Sequence, residues 1–126
     1  MPVWIAEERA VLRILSYLVK RDDMATDEFV DYYENHHVPL IVSLAPPPVV
    51  YKRHYLQRGD AVNIGEAAID FDVVTEQVFA DRAAFQSWID SVTAGDAGER
   101  VAADEARFLD RSRTRSCIVN DYVTTG

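Results

Sequence analysis

The stretch YENHHVPLI, residues 33–41, carries two adjacent histidines, His36 and His37, in a run with helical character that ends in apolar residues around Pro39. An unperturbed histidine titrates near pH 6.5, so the chemistry such a stretch could do is proton transfer close to neutrality. At about 100° per residue, Phe29, Tyr33, His37 and Leu40 share one apolar stripe, and His36 falls toward its edge near Tyr32. His37 is therefore the expected inward residue. Tyr33 lies four positions before it and can share a hydrogen bond or a ligand with it. Adjacent helical side chains diverge too far to chelate one ion, and no metal site is expected. Pro39 cannot donate to the carbonyl of Asn35 and biases Val38 away from helical angles, so the helix should kink or pause at the histidines and open a pocket mouth there.

The third histidine, His54, falls in a strand pattern on the same alternating face as Lys52 and Leu56, opposite Tyr51, Arg53 and Tyr55. One of these sets must line the pocket. His54 is carried forward as an assisting catalytic group beside His37 and Tyr33, and Tyr51 and Arg53 as substrate contacts. Phe29, Leu40 and Trp88 complete the expected substrate wall, although Trp88 and Phe85, with Phe108, read first as core. Asp104, Glu105 and Glu76 read as structural ion-pair or capping residues, because Arg107, Arg111, Arg113 and Arg115 supply partners.

These residues have to be positioned by the elements around them. VLRILSYLVK (11–20) is rich in β-branched and aromatic residues and reads as a first strand. Thr26 or Asp27 offers an N-cap to an amphipathic helix that the prolines at 46–48 must end. VVYKRHYLQ (49–57) and FDVVTEQVFA (71–80) read as strands, and Asp81 caps a helix over DRAAFQSWIDSV. TAGDAG interrupts that helix, ERVAADEARFLD (99–110) resumes it, and RTRSCIVNDYVT (113–124) forms a last strand. The order β-α-β-β-α-β, with the second helix split at Gly95 and Gly98, predicts an α+β ferredoxin-like sandwich. Such a sandwich covers one face of its sheet and leaves the other bare. Apolar residues occur on both alternating sets of the strands, which predicts a homodimer joined sheet to sheet.

The totals narrow the function classes. A chain of 126 residues predicts one domain over 1–126, and 48% hydrophobic with 27% charged residues is ordinary globular composition. A net charge of −8 disfavours both duplex nucleic acid and an anionic membrane surface. The longest apolar run near the start, VLRILSYLV, is short and broken by Arg13, so no transmembrane helix is expected. MPVWIAEERA has no basic start or cleavage pattern, which predicts no secretion signal and a cytoplasmic protein. The single cysteine, Cys117, sits in an apolar alternating run and is expected to be a buried thiol.

Taken in order, TDEFVDYYENHHVPLI, YKRHYL, FDVVTEQVF and ADEARFLDRSRTR resemble an EthD-domain protein of the dimeric α/β-barrel superfamily, over about residues 11–124. The resemblance implies a ferredoxin-like protomer, dimerisation into a barrel, and a pocket between helices and sheet. The histidine of the family's H-x-P-L pattern corresponds to His37, and its acidic pair before a phenylalanine to Asp104 and Glu105. Family members frequently carry asparagine near position 54, so His54 is a departure. Relatives in the wider superfamily include decarboxylases, cyclases, quinone-forming monooxygenases on polyketide-like aromatics, and lactone isomerases, all without an organic cofactor. The expectation is a small enzyme needing no cofactor, with His37 as acid/base on a hydrophobic carbonyl or phenolic substrate, of lyase/decarboxylase or cyclase/isomerase type. The alternatives are a cofactor-free monooxygenase, or a non-catalytic ligand-binding or accessory module of an oxidative degradation system.

Overall fold

The computed structural model describes residues 11–65 and 67–126; MPVWIAEERA, read above as lacking a secretion signal, lies outside the described residues. Along the chain run β1 (Leu12–Leu18), α1 (Thr26–Tyr32), a π-helical turn (Tyr33–His37), α2 (Val38–Leu44), β2 (Val50–Tyr55) and β3 (Val73–Phe79). They are followed by α3 (Arg82–Thr93), α4 (Gly95–Glu105), a 3-10 turn (Arg111–Arg113) and β4 (Arg115–Val119). The four strands form one sheet in the order β2-β3-β1-β4, and all three pairings are antiparallel. This is the ferredoxin-like α+β sandwich that the element order predicts.

The strand register decides which side chains face the helices. Ile14 pairs with Gln77, Ser16 with Thr75 and Leu18 with Val73, and Tyr51 lies across from Gln77 on β2. Because strand side chains alternate, these residues share the covered face. Thr75 and Gln77 are buried there, next to Ser16. Buried polar groups need partners, and this concentration of them marks a place where the helices do not simply seal the sheet.

The first helical stretch differs from expectation at its centre. Phe29, Tyr33, His37 and Ile41, each four residues apart, are all buried. An α-helix of 3.6 residues per turn would rotate such a series by about 40° per step and carry its ends apart. The π turn absorbs part of this drift, with the Val38 N–H donating to the Tyr33 carbonyl five residues back. Val38 stays helical (φ −58°, ψ −48°), so Pro39 does not pause the chain as expected. The wider turn accommodates the proline and carries Ile41, in place of the predicted Leu40, onto the inward face. The N-cap is Ala25, whose N–H donates to the Glu28 carboxylate at 3.2 Å, and not Thr26 or Asp27.

Asp81 caps α3 as expected, accepting from the Ala84 N–H at 2.8 Å. The helix then breaks at Ala94, and α4 begins at Gly95, earlier than predicted, so that GDAG is a helix start and not an interruption. Gly95 takes φ +55°, and a Cβ on Gly98 would come within 2.2 Å of the Thr93 carbonyl oxygen. Only glycine permits that close approach of α4 to the end of α3.

On the open face of the sheet, Glu76 pairs with Arg13 and accepts from His54 at 3.0 Å. Leu15 and Cys117 pair on this face beside them. Cys117 is exposed and not buried as expected, because alternation on an edge strand turns it away from the helices. No helix among the described residues is long and apolar enough to cross a membrane.

Candidate active site

A cavity of about 320 Å³ lies between the helices and the covered sheet face. Its apolar wall includes Ile14, Ile41, Phe85, Trp88, Val92 and Val101. Its polar wall includes Tyr33, His37, Tyr51, Thr75, Gln77 and Glu105. A concave, mostly apolar space with a few convergent polar groups is the usual form of a small-molecule site.

His37, its side chain 7% exposed, enters this wall from the π turn. Its Nδ1 lies 2.8 Å from Oδ2 of Asp104, in the last turn of α4. The other oxygen of Asp104 accepts a 2.6 Å hydrogen bond from the Tyr32 hydroxyl. Burial, then the Asp104 contact, pushes the Tyr32 phenol up to about 12, so it remains the donor. Phe108 packs 4.9 Å from the imidazole, ring centre to ring centre, and Tyr33 meets it edge-on at 5.5 Å. With Nδ1 engaged by a carboxylate, Nε2 is the nitrogen left for a molecule in the cavity. Such an oriented imidazole can accept or return a proton without reorganising its own surroundings.

Two phenols flank it. The Tyr33 oxygen lies 2.6 Å from the Thr75 hydroxyl, and Tyr51 interacts with Tyr33 in turn. Burial raises both phenols above their ordinary range, which keeps them as neutral hydrogen-bond donors near neutrality. The indole Nε1 of Trp88 is buried with no hydrogen-bond partner among the described residues, on a side chain that lines the cavity. Glu105, next to Asp104, also lines it. Its Oε1 lies 3.4 Å from Arg111 Nε, and burial raises its carboxyl.

The structure thus gathers His37, Tyr33, Tyr51 and Trp88 from the predicted set and leaves the others elsewhere. His54 points from the opposite face of the sheet onto Glu76 and does not reach the cavity. Arg53 is on the helix side but forks onto Glu34, with Nε to Oε2 at 2.9 Å and Nη2 to Oε1 at 2.7 Å. The Tyr55 hydroxyl completes that clamp at 2.6 Å, and the Arg53 guanidinium lies 4.8 Å from the centre of the Tyr51 ring. Arg53 braces Tyr51 instead of lining the cavity. Phe29 is fully buried in the core below, and Leu40 gives way to Ile41. Asp104 and Glu105, both expected as ion-pair or capping residues, instead hold His37 and line the cavity, respectively; the acidic pair before Phe108 was their signal in the sequence.

The EthD domain profile matches residues 21–112, and the chain belongs to the EthD domain family. It is similar in fold to an EthD family protein from Bacillus halodurans at 19% identity and TM-score 0.60, covering 88% of this chain and 98% of that one. SnoaB, a cofactor-independent oxygenase from Streptomyces nogalater, aligns at 14% identity and TM-score 0.55, over 91% and 96% of the two chains. The hydroxynitrile lyase of Passiflora edulis aligns at 16% identity and TM-score 0.55, over 90% and 97%. No curated protein matches the sequence.

The clamp on Glu34 gives a pH-dependent signature. Its hydrogen bonds from Arg53 hold the carboxyl below its ordinary range, outweighing burial. The unfolded chain therefore binds this proton more readily, so the contribution is present above the ordinary carboxylate range, near 4.3, and is lost as pH falls through the depressed folded value. In urea titrations from pH 7 to 3, the stability gap between wild type and Glu34→Gln should narrow on acidification; a gap that stays constant would exclude the clamp.

Proposed function

We propose that this protein is a small enzyme in which His37 moves a proton to and from an uncharged, apolar carbonyl or phenolic compound, in a cyclase- or isomerase-type reaction. The observation that carries this reading is the buried His37–Asp104 contact on the wall of an apolar cavity. Asp104 holds the ring through Nδ1, Nε2 exchanges the proton, and the Tyr33 and Tyr51 hydroxyls supply donors for the oxygen on which charge develops. The cavity is at the small end of ligand sites and suits a compact one- or two-ring molecule.

Charge favours this reading over decarboxylation. A substrate carboxylate needs a cationic partner, and no lysine or arginine lines the cavity among the described residues. Arg53 and Arg111 are drawn to Glu34 and Glu105. Asp104 adds negative charge close to His37, which a second anion would have to oppose. An uncharged ketone meets no such penalty.

The homodimer belongs to the same proposal. Leu15, Tyr17 and Val74 lie on the open face of the sheet with Val50 beside them, and a second copy presenting the same face would cover them. Sedimentation equilibrium at micromolar concentration should return twice the 14.2 kDa chain mass; a monomer contradicts the dimer.

Catalysis is tested with 2-tetralone, an uncharged two-ring ketone with enolisable α-protons. In D2O, followed by proton NMR, wild type should exchange them faster than buffer, and His37→Gln should lose about 100-fold or more of that acceleration. Exchange at the wild-type rate by a folded His37→Gln protein would refute the proposal.

A further inference from the structure

Glu105 is the carboxyl that the His37–Asp104 contact leaves over. It ends α4 and follows Asp104 directly, and successive helical residues point about 100° apart. Asp104 consequently turns to His37 and Tyr32, while Glu105 turns into the cavity. Two neighbouring carboxyls are thereby placed in opposite surroundings. Asp104 accepts two short hydrogen bonds, whereas among the described residues the Glu105 carboxyl meets a single 3.4 Å contact, from Arg111 on Oε1.

We propose that Glu105 is the second proton-transfer residue of this cavity, donating its carboxyl proton to the carbonyl oxygen of an enolisable, uncharged ketone while His37 takes a proton from the adjacent carbon. The proposal rests on the acid/base role given to His37 above. The step balances within the site. The α C–H proton passes to His37 Nε2, and the electron pair of that bond becomes the C=C of the enol. The carbonyl π pair takes the proton from Glu105, leaving an imidazolium and a carboxylate. Return of the proton from His37 to carbon, and of the enol O–H proton to Glu105, regenerates both groups. Neither oxidant nor reductant is required.

The groups facing Glu105 are His37 from the π turn, Asp104 on its own helix and Arg111 from the 3-10 turn. Burial, with the Asp104 charge, favours its neutral form, and the His37 and Arg111 charges oppose this; burial prevails. A cavity carboxyl favoured in its neutral form is a usual source of a general acid. The active form of Glu105 is protonated, so the activity it supports must fall as pH rises through its titration. Removing the Arg111 cation raises that titration further and moves the fall to higher pH.

The test uses the full chain and 2-tetralone exchange between pH 5 and 9, with wild type, His37→Gln, Glu105→Gln and Arg111→Gln. Glu105→Gln should lower kcat about 10-fold or more, with little change in KM, and abolish the alkaline fall. Arg111→Gln should keep the fall and shift it to higher pH. If wild type and His37→Gln differ as stated but Glu105→Gln keeps the wild-type rate and profile, the proposal is overturned while the role of His37 stands. If Glu105→Gln and Arg111→Gln lose activity alike with an unmoved profile, Glu105 is only an ion-pair partner and the proposal is overturned. If wild type does not exceed buffer, the reading of His37 fails and this one falls with it.

Discussion

The contact between the His37 imidazole and the Asp104 carboxylate is the constraint on which the site depends. It joins residues 67 positions apart in the chain, one on the π turn and one at the end of α4. Both side chains are largely buried, so leaving either without its partner would cost about 1–3 kcal/mol, more if it remained charged. The Tyr32 hydroxyl satisfies the second carboxylate oxygen, and Phe108 packs against the ring. Histidine orientation and the docking of α4 are therefore one feature and not two.

The sheet complements this arrangement. Ser16, Thr75 and Gln77 occupy positions on the covered face where a plain sandwich would place aliphatic residues. Thr75 is satisfied by Tyr33, and Ser16 by Ser116 at 2.8 Å. The hydrophobic groups Leu18, Phe29, Val73 and Phe108 cluster to one side of the cavity, and Ile41, Val92 and Val101 to the other. The space is left because the polar centre of the sheet is not tiled by apolar side chains from the helices. Arg53 and Glu34 then fasten β2 to the π turn and fix the Tyr51 ring at the edge of that space.

The element order was legible because strand and helix periods differ and because prolines, aspartates and glycines punctuate the chain where the elements change. His37 was legible for the same reason: only it, and not His36, shares a stripe with Phe29 and Tyr33. Leu40 was misplaced because the stripe was drawn with an α-helical period throughout. The π turn changes the phase, and its local trace is a proline that follows the two histidines. The orientation of His54 was undetermined because both alternating sets of β2 carry aromatic, charged or apolar residues; the pairing of Tyr51 with Gln77 and of His54 with Val74 decides it. Asp104 was hidden by distance along the chain, and nearby arginines offered it a simpler partner. Cys117 looked buried because alternation identifies a face but not what covers that face.

The state of one nitrogen tests the central claim most directly. If Asp104 orients His37 for proton exchange through Nε2, a long-range proton–nitrogen NMR spectrum of the ring in its neutral form should show the proton on Nδ1 and a bare Nε2. That tautomer should be lost, or mixed with the other, in Asp104→Asn. A neutral His37 carrying its proton on Nε2 in the wild-type protein would contradict the arrangement, because the nitrogen facing the cavity could then no longer act as the base.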